Sequence, residues 1–124
     1  MSMAQSLLPE FDQEMANTRK MLERIPENKL DYKPDPKSMS MAQLASHIAE
    51  MCGWFAGMME ATEMDIPAGF KPFLATSKKE LLDKFDGNVA GTRAALAAAG
   101  DQALMQDWSL EFAGNKMFTM PRIA

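Results

Sequence analysis

Three segments of this chain carry large apolar residues at alternating spacings of four and three, and that rhythm admits few folds. Ala4, Leu8, Phe11, Met15, Thr18, Leu22 and Ile25 form the first stripe. Met41, Leu44, Ile48, Met51, Phe55, Met58 and Thr62 form the second, and Leu82, Phe85, Val89, Thr92, Leu96 and Ala99 the third. Each places its apolar residues on one face of a helix, and three such helices need a common core. The chain has 124 residues, enough for one domain and too few for two.

Local signals set the ends. The first helix is expected from about Met3 to Arg24, because the residue before Pro26 is pushed out of helical geometry. An irregular stretch with Pro26, Pro34 and Pro36 follows and is expected to cross an end of the bundle. Ser40 with Gln43 reads as a capping box opening the second helix, and Ser77 with Glu80 as another opening the third. Ile66-Pro67 and the Gly69–Pro72 stretch read as a second long connection. Gly100 reads as a left-handed stop. In the tail, Trp108–Phe112 alternates apolar and polar, Gly114-Asn115 can turn, and Met117–Met120 extends again, which predicts a small hairpin. Pro121, with Thr119 as its cap, reads as the first residue of a further helix.

Composition narrows the function. The formal net charge is −4 and the pI about 5.0, with no clustered basic face, so nucleic acid is not an expected partner. No apolar run approaches the roughly 18 residues of a membrane span, and the first residues lack the pattern of a signal peptide. The cytoplasm is the expected compartment. Cys52 is the single cysteine; in its apolar surroundings it reads as a small buried hydrophobe. The 13 methionines include Met39, Met41, Met51, Met58, Met59 and Met64 in or beside the second helix, where they read mainly as core.

Leu30-Asp31-Tyr32-Lys33-Pro34-Asp35-Pro36-Lys37-Ser38-Met39-Ser40 leads straight into Leu44-Ala45-Ser46-His47-Ile48-Ala49-Glu50. An aromatic-x-Pro-x-Pro-x-Ser loop feeding a helix with one histidine resembles the DinB-like superfamily. Thr76–Leu82 is similar to the start of that family's third helix, and Trp108 with Met120-Pro121-Arg122 to the lead-in to its fourth. The resemblance implies an all-α fold, the DinB-like up-down-down-up four-helix bundle. Here residues 1–124 are expected to form a single domain of three long helices, a small hairpin and only the start of the fourth helix. The groove left at the fourth helix's place is expected to be covered, by a second copy in a homodimer or by the rest of a longer protein.

The resemblance further implies a metal-dependent, thiol-utilising transferase or hydrolase, with a divalent metal such as zinc or nickel held by three histidines. A small-molecule thiol is the implied partner. Of those ligands only His47 has a counterpart here, so the metal site is expected to be incomplete and binding weak or absent. Glu50, Glu60 and Asp86 are the carboxylates considered as helpers, Glu50 because it shares a helical face with His47. Trp54, seven residues after His47 and on much the same flank, reads with Phe55 mainly as core packing, and as the wall of a small apolar pocket in the alternative. The alternative is a non-catalytic helical binding or assembly module.

Overall fold

In a computed structural model describing residues 1–124, helix α1 spans Met3–Glu23, α2 Met41–Met51, α3 Trp54–Met58, α4 Lys78–Ala98 and α5 Asp101–Met105. Strands β1 (Glu63–Ile66), β2 (Asp107–Phe112) and β3 (Asn115–Pro121) form one sheet in the order β1-β2-β3. The architecture is therefore mixed, and the expected all-α bundle is corrected. The β2–β3 hairpin gains β1 as a third strand, parallel to β2, with Glu63 opposite Ser109 and Ile66 opposite Phe112. A parallel pair needs a long crossover, and α4 with α5 provides it.

The helix starts follow their side chains. Ser2 and Ser40 each make a complete capping box, with Gln5 and Gln43 as partners. Ser77 caps only one way: its hydroxyl accepts from the Glu80 amide, while the Glu80 carboxylate bonds Thr76 instead. Gly100 has φ −80° and is no left-handed stop; it links α4 to α5. The hairpin turn sits one residue earlier than expected, with Ala113 (φ 50°) and Gly114 (φ 83°) left-handed. Pro121 closes β3 instead of opening a helix, and Thr119 bonds Ser109 across the hairpin at 2.7 Å. Its ring lacks only a backbone N–H, which a strand's terminal position tolerates.

The core lies between α1, α2 and α4. Leu22, Ala45, Ala49, Ala75, Leu81 and Phe85 are buried together. A second cluster joins Ala4, Leu96, Ala99 and Leu104 at the other end. Along α1 the expected stripe is the inward one. Along α2 it is not. Ala42, Ala45, Ser46 and Ala49 face the core, whereas Leu44 is 51% and Met51 45% exposed. Small residues let α2 approach α4 closely, and the larger ones are left outside. Met51 and Phe55, with Leu7, Phe11 and Met15, line an open apolar groove of about 420 Å³.

The second helix is also shorter than its stripe. It breaks at Gly53, where Asn88 and Thr92 of α4 donate to the carbonyls of Ala49 (2.9 Å) and Cys52 (2.6 Å). Side-chain donors thereby satisfy carbonyls that the broken helix leaves free. A Cβ on Gly53 would lie 2.7 Å from Asn88 Cγ, so only glycine fits at this crossing.

Candidate functional site: an apolar cavity beside His47

The break at Gly53 turns α3 so that Trp54 meets His47. The two rings stand edge to face, with centroids 5.7 Å apart and planes at 68°, a favoured geometry for aromatic pairs. Both border a cavity of about 530 Å³, more enclosed than the groove along α1. Its apolar wall comes from three directions. Trp54 and Met58 belong to α3, Met64 and Ile66 to β1, and Trp108, Leu110, Phe118 and Met120 to the hairpin. Phe70 and Pro72, from the connection before α4, complete it. That size suits a small organic molecule.

Two hydrogen bonds fix the wall formed by the connection. The Glu50 carboxylate accepts from the Phe73 amide at 3.1 Å, and the buried Ser46 hydroxyl from the Ala75 amide at 2.8 Å. An extended segment without a sheet partner here is thus tied to α2 by its own backbone donors. His47 and Glu50 lie one turn apart on α2 and both reach the cavity. Phe55, the other aromatic considered for such a wall, lines the groove on the other side instead.

The other polar group at the cavity is Arg122, immediately after β3 and buried. Its guanidinium donates to the backbone carbonyls of Met58, Ala61 and Ala103 and to the Gln106 side chain. It thereby ties the ends of α3 and α5 to the sheet. Read as part of a helix start, Arg122 was not a candidate in the sequence. The one signal that marked it was its position directly after Pro121 at the end of an apolar hairpin, with no acidic residue nearby in the chain.

The donor set does not fit a three-ligand metal centre. Such a centre takes about three protein ligands and an open position. His47 and Glu50 are two, and one Glu50 oxygen already accepts from Phe73. Asp86 points elsewhere, into a two-pronged ion pair with Arg19 at 2.8 and 2.9 Å, whose guanidinium holds its carboxyl below the usual range. Glu60 is exposed and borders neither this cavity nor the groove. No group of three His, Cys, Asp or Glu side chains is gathered anywhere in the chain. Cys52 is half-buried against the core, and burial pushes its thiol up, which leaves less thiolate for nucleophilic work.

Nor is any helix long and apolar enough to cross a membrane. No curated protein and no solved structure matches this chain. The family model of the DinB superfamily does, over residues 10–120. That span takes in most of α1, the loop before α2, the helix that carries His47, and nearly all of the sheet, so the chain belongs to the DinB superfamily.

Proposed function

We propose that this chain is the small-molecule-binding part of a DinB-type transferase or hydrolase, with the cavity beside His47 as its substrate site. One observation carries the reading. An apolar cavity more enclosed than the groove along α1 is bordered by the single histidine, and its walls come from α2, α3 and all three strands. Apolar walls with a few convergent polar groups are the usual make-up of a ligand pocket. The apolar part of a substrate would lie against Trp54, Trp108 and Phe118. His47 would face its reactive end and supply the one imidazole donor that these residues bring to a divalent metal. A small-molecule thiol as co-substrate follows from the resemblance to thiol-dependent relatives. With only the partly engaged Glu50 carboxylate beside His47, the donor set also supports an alternative, a binding module without catalysis.

Both tryptophans of the chain, Trp54 and Trp108, border the cavity, so intrinsic fluorescence reports on its contents. Titration with decanol, a neutral apolar probe, is expected to change that fluorescence along a saturable one-site curve. Met64→Arg, which puts a charge on a cavity wall that is already 38% exposed, is expected to weaken binding about tenfold or more, since an unpaired charge is costly beside an apolar ligand. A linear, unsaturable response in the wild type contradicts the proposal.

A further inference from the structure

We propose that the cavity selects ligands with a compact anionic group, a carboxylate above all, on an apolar body, and that Arg122 binds the anion. This rests on the reading of the cavity as a ligand site and adds the chemistry of the ligand.

Arg122 is only 8% exposed. A guanidinium carries five N–H donors, and four are accounted for. Nε donates to Met58 O at 2.9 Å, Nη1 to Ala103 O at 3.1 Å and to Gln106 Oε1 at 2.8 Å, and Nη2 to Ala61 O at 2.8 Å. Every one of these acceptors is neutral. No carboxylate, of a side chain or of the chain terminus, stands within ion-pair distance of it. The contrast within the molecule is sharp: Arg19 and Arg93, both at the surface, are each paired with an aspartate. Arg24 also lacks a carboxylate partner but lies exposed in water, whereas Arg122 is the buried arginine, and burial strips the water that would otherwise offset the missing counter-ion. The carbonyls orient the guanidinium and offset part of that cost, yet its formal charge stays uncompensated and one N–H of Nη2 stays unused.

Position turns this into a ligand argument. Arg122 lies between the groove along α1 and this cavity, whose lining is apolar apart from His47, Glu50 and Arg122 itself, so an anion in the cavity meets little competing water and gains a charge-assisted hydrogen bond. Glu50 enters the same cavity from α2 and repels a second negative charge. A ligand therefore has one favoured orientation, with its anion on Arg122 and its apolar body along Trp108, Phe118 and Trp54. A merely structural arginine would tie α3 and α5 to the sheet equally well and would show no preference between ligands of opposite charge character.

The test compares decanoate with decanol on the full chain at pH 7.5, two ligands with the same tail and different heads, read by tryptophan fluorescence. Decanoate is expected to bind about tenfold tighter or more, the gain of a hydrogen bond to a charged group. Arg122→Met, checked for its fold by circular dichroism, is expected to bind both alike, and His47→Gln to keep the wild-type preference. If decanol binds as tightly as decanoate in the wild type, the cavity stands as a ligand site and the anion proposal is overturned, whether or not Arg122→Met folds. Loss of the preference in His47→Gln overturns it too, by moving the anion to the imidazole. Binding of neither probe overturns both this proposal and the cavity reading on which it rests.

Discussion

At the scale of single residues, chemistry here is set by what each polar group is denied. His47 has an aromatic neighbour, Trp54, and one carboxylate a turn away that is already engaged with the Phe73 amide. One imidazole and part of one carboxylate hold zinc far less firmly than three ligands do. Calorimetric titration of the chain with zinc is expected to show weak binding that disappears in His47→Ala. Tight, stoichiometric binding that survives the substitution would mean that donors other than His47 form the site. The placement of His47 on a helix was legible in the sequence, because a proline-rich loop and a capping box led into that helix. Arg122 was not, since its role depends on carbonyls of Met58, Ala61 and Ala103 that only the fold brings together.

At the scale of elements, the junction between α2 and α3 decides where the site is. The apolar stripe ran on past Gly53 without interruption, so the sequence read as one long helix. The break comes from Asn88 and Thr92, which lie on α4 and take the carbonyls of Ala49 and Cys52. No local signal carries that information. Gly53→Ala is expected to destabilise the domain by about 1–3 kcal/mol, the usual cost of overpacking, because the new methyl meets Asn88. In an Asn88→Ala background the same change is expected to cost much less, a coupling that chemical denaturation of the four variants measures. Equal costs in both backgrounds would remove Asn88 from the account.

The buried face of α2 was misread for a related reason. Size favoured Met41, Leu44 and Ile48, but α4 packs on the alanines instead. Side-chain volume shows that a helix has an apolar face, not which neighbour that face meets. Strand β1 had a signal that a loop reading overrode. Glu63-Met64-Asp65-Ile66 alternates polar and apolar before a proline, a short period-two pattern, and its pairing partner lies more than 40 residues away in β2. The hairpin and helices α1 and α4 were legible because their patterns are long or their turns local.

At the scale of the whole molecule, α1 is pinned to α4 by a buried core and by two exposed ion pairs, Asp12–Arg93 and Asp86–Arg19. In both pairs the hydrogen bonds from arginine lower the aspartate's pKa, with partial burial opposing and the arginine charge assisting. A lowered native pKa means that the folded state binds its proton later than the unfolded state does. The stabilisation is thus fully present above the ordinary aspartate value of 3.8 and is lost as pH falls through the lowered native values. Thermal unfolding between pH 7 and 3 is expected to show the wild type losing stability below about pH 4, with a flatter profile for the Asp12→Asn, Asp86→Asn double variant. Parallel profiles would show that these pairs contribute nothing, as many surface pairs do.

The molecule offers two apolar hollows on different sides, and the proposed ligand site is the one beside His47. Methionines mark both: Met58, Met64 and Met120 border the cavity, and Met15 and Met51 the groove. The direct measurement is carbon-13 methyl NMR of methionine-labelled protein during a titration with decanoate. The expected result is progressive, saturable shifts at Met58, Met64 and Met120, with Met15 and Met51 unmoved. Shifts confined to Met15 and Met51, with the cavity methyls silent, would contradict the assignment of the cavity beside His47 as the functional site.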